Sequence, residues 1–201
     1  NYTREYFASH PDKVIAIRLT ASQKQAINCD ISLTSLIPHQ AKASGNQLTL
    51  TGHAMGEPEN STHFCSILNI RNTDGSITPT DSTLHLQGVS EAIIYFVNET
   101  SYNGFDKHPV TEGAPYIEKV ADDAWHLVNY TYPELRQRHV NDYKQFFDRT
   151  RFILKGARYD TQRNTEQQLL DYTKKQEQNP YLEMLYFQFG RYLLISCSRT
   201  L

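Results

Sequence analysis

The chain has 201 residues, a hydrophobic fraction of 39% and a formal net charge of −2 at pH 7. This is enough apolar material for a core, and the balanced charge argues against a polyanionic partner. Lysine and arginine are scattered without a basic stripe between exposed aromatics, so no nucleic-acid partner is predicted. No uninterrupted apolar run approaches the ~20 residues of a membrane-spanning helix, so no membrane span is expected.

Up to about residue 110 the sequence has the pattern of an antiparallel β domain. Short segments alternate between apolar and polar residues, and turn-forming residues such as Gly45-Asn46 and Asn72-Thr73-Asp74-Gly75 separate them. The predicted strands cover residues 2–7, 14–20, 27–33, 47–52, 62–70, 84–86 and 92–97. Six or more short strands predict a β-sandwich, part of which is expected to precede residue 1.

The three cysteines, Cys29, Cys65 and Cys197, cannot all pair within the chain, and their spacing matches no zinc pattern. Cys29 and Cys65 both lie in predicted strands, so one disulfide is compatible with the sequence. Buried free thiols are the favoured interpretation. No metal and no cofactor are expected.

From about residue 114 the period becomes helical. Residues 116–129 are predicted to form one helix, and Pro133 with Glu134 suits the first turn of a second. Residues 151–154 resemble a short strand that returns to the β domain, and residues 166–175 are predicted as a short helix.

The last helix is predicted to begin with Asn179 as N-cap and Pro180 at the first helical position. Its side chains are apolar on nearly all sides, which is typical of a helix inside a larger assembly. Charged and polar positions at Glu183, Gln188 and Arg191 interrupt the apolar run and make a membrane location a poor interpretation.

No nucleophile elbow, P-loop, dinucleotide fingerprint or metal-binding helix is present in the sequence. Several polar pairs are interpreted as solvated surface: His53 with His63, Asp122 with Asp123, and Glu57 with Glu59.

One loop, residues 100–109, is unusual because it combines aromatic and polar side chains at the junction of the β and helical parts. Such loops are frequent places of ligand contact. The candidate substrate-adjacent residues are Tyr102, Asn103, Phe105, Asp106 and Lys107. The alternative, which the sequence alone favours, is that this loop only stabilises the interface between domains and binds no ligand.

Five stretches form an ordered series along the chain. They are Tyr2-Thr3-Arg4-Glu5-Tyr6-Phe7-Ala8-Ser9-x-Pro11-Asp12-x-Val14-Ile15, Leu48-Thr49-Leu50-Thr51-Gly52-His53-Ala54, Thr100-Ser101-Tyr102-Asn103-Gly104-Phe105, His139-x-x-Asp142-Tyr143-x-x-Phe146-Phe147-x-Arg149 and Tyr186-Phe187-Gln188-Phe189-Gly190-Arg191-Tyr192-Leu193-Leu194-Ile195-Ser196-x-Ser198-Arg199. Together they resemble glycoside hydrolase family 95, whose best-known activity is that of an α-L-fucosidase.

The resemblance implies a mixed α and β fold: an antiparallel β-sandwich (a partial supersandwich-like domain), linker helices, and the first helix of an (α/α)6 barrel. The corresponding segments are residues 1–113, 114–160 and 161–201. In this family the catalytic acid, the water-activating asparagines and the base come from barrel segments after the first helix. No catalytic residue is therefore carried onto this chain.

The resemblance also implies a function for the parent protein, an inverting exo-glycosidase that releases terminal α-1,2-linked L-fucose. This chain alone is expected to be inactive, to bind a fucosylated oligosaccharide or glycan, and to pack on the remainder of the catalytic domain. A periplasmic or secreted location is expected. The alternatives are a non-catalytic carbohydrate-binding or scaffolding β-sandwich and an α-L-galactosidase of the same family.

Overall fold

A computed structural model describes residues 1–199 of the chain. The chain divides into two compact units, Asn1–His139 and Val140–Leu201, which are described separately below. The last two positions of the predicted 161–201 segment lie outside the described residues.

The first unit contains two antiparallel sheets. Its strands are Tyr2–Ser9 (β1), Val14–Ala21 (β2), Ile27–Ser32 (β3), His39–Ser44 (β4), Gln47–His53 (β5), His63–Asn72 (β6), Ser76–Pro79 (β7), Thr83–Val89 (β8) and Glu91–Thr100 (β9). The larger sheet has the order β1-β2-β9-β6-β5-β4, and the smaller has the order β3-β8-β7. The predicted antiparallel sandwich and mixed fold class are confirmed.

A fully buried core fills the space between the two sheets. Leu48 and Ile70 come from the larger sheet, and Leu84 and Val89 come from the smaller one. Because successive side chains of a strand point to opposite faces, the alternation in β8 places both Leu84 and Leu86 in this core.

The outer face of the larger sheet is covered by helices. Helix α1 spans Tyr116–His126 and continues into a 3-10 turn at Leu127–Asn129, and helix α2 spans Tyr132–Phe147. Val120, Leu127 and Leu135 pack on this face in a second core cluster. The central strand β6 is therefore buried on both faces, which explains four consecutive buried residues from Cys65 to Leu68.

Two strands, β4 and β7, were not predicted. Both lie at the edges of their sheets, where only one neighbour supplies hydrogen bonds. β4 carries Lys42, and β7 is four residues long and ends at Pro79. Short, charged or proline-bearing strands are typical of sheet edges, and they carry little of the apolar alternation on which sequence prediction depends.

The three thiols are free, but the favoured interpretation as buried free thiols holds in full only for Cys65, since Cys29 is half-buried and Cys197 is exposed. Cys65 lies in the cluster under the helices, whereas Cys29 packs against the cluster between the sheets. The larger sheet therefore separates these two sulfurs. Burial raises the pKa of both thiols above the ordinary value for cysteine.

The second unit contains the last residues of α2 together with α3 (Thr165–Lys175) and α4 (Pro180–Cys197). Asn164 and Gln167 form a reciprocal capping box at the start of α3. Asn179 accepts a hydrogen bond from the backbone N–H of Leu182, which confirms the predicted start of α4. Among residues 1–199, no helix combines the length and hydropathy that a transmembrane segment requires.

The predicted strand at residues 151–154 is wrong, because this segment is irregular in the structure. Phe152 packs within the second unit, whereas Ile153 is 60% exposed. The ring centroid of Phe152 lies 4.6 Å from that of Phe187 on α4. A short apolar run does not distinguish such packing from strand pairing.

Candidate functional site

The loop predicted as a ligand contact connects β9 to α1 and is closed at its base by Ser101. The backbone N–H of Ser101 donates to the His63 carbonyl at 2.8 Å, and the Ser101 hydroxyl accepts from the His63 N–H at 2.9 Å. The Ser101 carbonyl accepts from the Ala114 N–H at 2.9 Å. Both ends of the loop are thus fixed to the start of β6.

Glu112 organises the interior of this loop. Its carbonyl accepts a hydrogen bond from Asn103 Nδ2 at 2.8 Å, and its carboxylate lies 3.7 Å from Lys107 Nζ. The same carboxylate accepts from the His108 N–H at 3.2 Å. The composition of the loop indicates Asn103 and Lys107 but not Glu112, because the role of Glu112 arises only when the loop closes.

His108 joins the loop to the neighbouring 3-10 turn, Pro58–Asn60. Its Nδ1 accepts from the backbone N–H groups of Val110 and Thr111 at 3.3 and 3.2 Å, so the ring proton lies on Nε2. Nε2 then donates to Asn60 Oδ1 at 3.3 Å. The loop is therefore held by side chains as well as by its ends.

Two aromatic side chains of the loop face solvent. Tyr102 is 61% exposed and Phe105 is 96% exposed. Between them Gly104 has a φ of 122°, a conformation that side chains rarely adopt, and a Cβ there would lie 3.1 Å from Asp106 Oδ1. Within the first unit the five predicted residues thus form an ordered loop that presents two aromatic rings outward.

The two histidines interpreted as surface residues lie beside the base of this loop. The rings of His53 and His63 are 5.8 Å apart, and that of Tyr116 lies 6.3 Å from His63. Each imidazole bonds a backbone carbonyl, that of Ala54 for His53 and that of Pro58 for His63. Within residues 1–199, no group of three His, Cys, Asp or Glu side chains is arranged to hold a metal ion.

The interpretation of Asp123 as solvated surface is wrong. This carboxylate lies 3.5 Å from Lys13 Nζ, which is also 3.2 Å from Glu99 Oε1. Burial raises the pKa of Asp123, the Lys13 charge lowers it, and a hydrogen bond to Glu99 raises it again. Asp122, Glu57 and Glu59 are exposed as predicted.

Asp123 and Glu99 are both engaged in ion pairs with the same lysine. Catalytic carboxyl groups of glycosidases stand roughly 5 to 9.5 Å apart across a cleft. Asp123 and Glu99 instead share one lysine, with Lys13 Nζ 3.5 Å from Asp123 Oδ2 and 3.2 Å from Glu99 Oε1. The cluster therefore links the turn between β1 and β2 to β9 and α1.

In the second unit, two arginines of the last predicted motif connect α4 to α2. Arg199 Nη2 donates to both carboxylate oxygens of Asp142, at 2.7 and 2.8 Å. Arg191 Nη2 donates to the Phe147 carbonyl at 2.6 Å, and its guanidinium lies 4.6 Å from the Phe147 ring centroid. Two motifs that are about 50 residues apart in sequence thus contact each other.

Comparison with known families agrees with this architecture. Residues 1–104 match the model of the glycosyl hydrolase family 65 N-terminal domain, and residues 131–201 match that of the glycosyl hydrolase family 95 catalytic domain. The first match covers 104 of 201 residues, and the chain belongs to this family of glycosyl hydrolase N-terminal domains. The predicted resemblance to family 95 is confirmed.

The curated relatives carry fucosidase names. The chain is 26% identical to "Alpha-L-fucosidase 2" of Arabidopsis thaliana over 99% of its own length. It is 31% identical to "Probable alpha-fucosidase A" of Aspergillus niger over 98% of its length. It spans about a quarter (26%) of each of these relatives.

Proposed function

We propose that the whole protein is an inverting exo-glycosidase that releases terminal α-1,2-linked L-fucose from glycans. The observation that carries this proposal is the match of residues 131–201 to the family 95 catalytic domain, together with the fucosidase names of the relatives. Because the chain spans 26% of those relatives, we assign the catalytic acid and base to other parts of the whole protein.

Helix α4 is assigned the role of the first helix of an (α/α)6 barrel, packed on the remainder of the catalytic domain. Its apolar side chains support this role, since Tyr186, Phe189 and Leu194 are all more than half exposed. Gly190 adds support because a Cβ there would meet nothing within 4 Å. A glycine inside a helix is unfavourable unless another segment approaches closely.

The 201-residue chain is assigned no hydrolytic activity of its own. An inverting reaction needs an acid at the glycosidic oxygen and a base-held water on the opposite face of the sugar. The ion pairs that Asp123 and Glu99 both form with Lys13 support a structural role for this acid pair.

The loop around Tyr102 to Lys107 is assigned a contact with the glycan. Its support is the combination of an ordered backbone with two outward-facing aromatic rings, Tyr102 and Phe105. Aromatic rings with a fixed position offer apolar area at a low entropic cost. The same loop would serve a non-catalytic carbohydrate-binding sandwich, which remains the second candidate function.

The test is proton NMR of the whole natural protein acting on an oligosaccharide with a terminal α-1,2-linked fucose. We expect β-L-fucose as the first product, because inversion converts the α linkage into the β anomer. Initial release of α-L-fucose contradicts the inverting mechanism. Faster hydrolysis of the matching α-L-galactoside selects the galactosidase alternative, and no hydrolysis of either selects the binding module.

A periplasmic or secreted location is part of the same proposal and is supported by the family resemblance. Fractionation of the producing cells tests it. Recovery of the protein only with cytoplasmic markers contradicts it.

A further inference from the structure

His108 lies at the start of a tight turn in the loop between β9 and α1. Its carbonyl accepts from the Glu112 N–H at 3.0 Å, and its Nδ1 accepts from the N–H groups of Val110 and Thr111. Asn and Ser side chains close turns in the same way, with an acceptor that bonds the N–H groups two and three positions on. The His108 ring therefore caps this turn, and it does so only while Nδ1 carries no proton.

The turn capped by His108 also fixes the aromatic part of the loop. Its last residue, Glu112, accepts through its carbonyl from Asn103 Nδ2 at 2.8 Å. Asn103 lies between the two exposed aromatic residues, directly after Tyr102 and two positions before Phe105. The position of these two rings thus depends on a series of contacts that begins at His108.

The surroundings of His108 include a second histidine and several charged side chains. The charged side chains of the loop and the neighbouring 3-10 turn are all exposed, and they are Asp106, Lys107, Glu112, Glu57 and Glu59. Histidine is the side chain that ordinarily changes charge between about pH 8 and pH 5. His63 donates from Nε2 to the Pro58 carbonyl at 2.9 Å, and this nitrogen keeps its proton when the ring becomes charged. His108 differs because its Nδ1 is an acceptor.

From this geometry we infer that His108 is a positioning residue for the loop that carries Tyr102 and Phe105, and that a second proton on its ring releases the turn. A proton taken from solvent binds Nδ1, where it faces the N–H groups of Val110 and Thr111 and removes both hydrogen bonds. The release of the turn is independent of the proposed function. Its effect on substrate binding rests on the proposed glycan contact of the two aromatic rings.

Hydrogen–deuterium exchange of the whole natural protein, followed by mass spectrometry of residues 109–112, tests the release. His108→Asn is the comparison, because Asn keeps an acceptor for the same N–H groups and does not change charge. Pro109 separates the substituted position from the two amides, so their intrinsic exchange rates stay the same. We expect equal exchange at about pH 8, and about tenfold faster exchange in the natural protein at about pH 5. Equal exchange at both pH values overturns the inference.

The positioning role is measured as the KM of the whole natural protein divided by that of His108→Asn at the same pH. The catalytic groups are identical in both proteins, so their own titration cancels in this ratio. We expect a ratio near one at about pH 8 and roughly threefold or more at about pH 5, with similar kcat values. A ratio that stays flat overturns the positioning role.

His10→Asn is the matched control, because His10 is exposed in the turn between β1 and β2. This variant is expected to keep the pH dependence of the natural protein in both experiments, and loss of that dependence contradicts the assignment to His108. Absence of hydrolysis by the whole protein contradicts the proposed function, and the exchange experiment then still decides whether His108 releases the turn.

Discussion

Asp12 shows how a single buried carboxylate connects a hairpin to a helix. Its side chain is fully buried, accepts from Ser9 Oγ at 2.6 Å, and accepts from Arg138 Nε at 2.7 Å. Hydrogen bonds that involve a charged group are stronger than neutral ones. The Ser9-x-Pro11-Asp12 part of the first motif therefore has a structural role between β1, β2 and α2.

The raised pKa of Asp123 leads us to expect that the stability of the first unit depends on pH. Its folded pKa lies above the ordinary value of 3.8, so the folded protein holds this proton more tightly than the unfolded chain does. The resulting stabilisation is complete below about pH 3.8 and is lost as the pH rises through the folded pKa. Asp123→Asn keeps an uncharged hydrogen-bonding group at every pH.

We expect Asp123→Asn to melt at a higher temperature than the natural chain at pH 7, with a difference that shrinks as the pH approaches 3.8. Thermal unfolding followed by circular dichroism at several pH values measures this. Asp122→Asn, an exposed position on the same helix, is expected to have no such effect. A stabilisation that does not change with pH would argue against burial as the cause.

Because the aromatic side chains of the loop are exposed, we expect their removal to weaken substrate binding without changing the stability of the fold. Phe105 is 96% exposed, so Phe105→Ala is expected to leave the melting temperature unchanged. In the whole protein we expect an increase in KM of about tenfold, equivalent to ~1.4 kcal/mol, with little change in kcat. Leu36→Ala, another fully exposed apolar position, serves as the control. An unchanged KM contradicts the glycan contact.

At the scale of elements, the effect of replacing Gly190 on stability depends on whether another helix packs on α4. In the 201-residue chain Gly190→Ala is expected to stabilise α4 by about 0.5–1 kcal/mol, because alanine favours the helix and the new Cβ meets nothing within 4 Å. In the whole protein the same change is expected to destabilise, because a neighbouring helix would lose its close approach.

Urea unfolding of both forms measures these opposite effects. Ser196→Ala, at an exposed position of the same helix, is expected to have the same small effect in both forms. Equal stabilisation by Gly190→Ala in the chain and in the whole protein means that no helix packs on that position.

The apolar surface of α4 predicts self-association of the isolated chain. Tyr186 is 80% exposed and Leu194 is 63% exposed. Large exposed apolar patches promote contacts between molecules. Sedimentation velocity is expected to show concentration-dependent oligomers that the double variant Tyr186→Lys and Leu194→Lys abolishes. Trp125→Lys, at another exposed aromatic position, is the control and is expected to leave the oligomers unchanged. A natural chain that stays monomeric and binds no hydrophobic dye would contradict the prediction.

The elements that can be predicted are those with a clear period or a cap. β3 and most of β5 alternate between polar and apolar residues, β2 is rich in residues that favour strands, and Asn179 with Pro180 marks the start of α4. The edge strands β4 and β7 lack this signal. Residues 151–154 have a strand composition, but Phe152 packs on Phe187.

The candidate site was predictable only in part. An unusual composition identified the loop from Tyr102 to Lys107, whereas the roles of Ser101 and Glu112 arise from long-range and loop-closing hydrogen bonds. Likewise, nothing in local sequence indicates that Arg199 pairs with Asp142, because these residues are 57 positions apart. Sequence patterns report local periodicity, and such contacts depend on the folded chain.

At the scale of the whole molecule, the two units differ in how much of their apolar surface is buried. The first contains two core clusters and a sandwich covered by helices on one face. The second contains α4, no residue of which is buried. The domain division predicted at residues 113 and 160 stays a prediction. We propose that the first unit supports a catalytic barrel whose first helix is α4.

The most direct test of this account is an assay of fucose release by the folded 201-residue chain on an oligosaccharide with a terminal α-1,2-linked fucose. The account predicts no release above the enzyme-free blank, while the whole protein releases fucose under the same conditions. Release by the purified chain, lost on heat denaturation, would contradict the account, because it would place an acid and a base within these 201 residues.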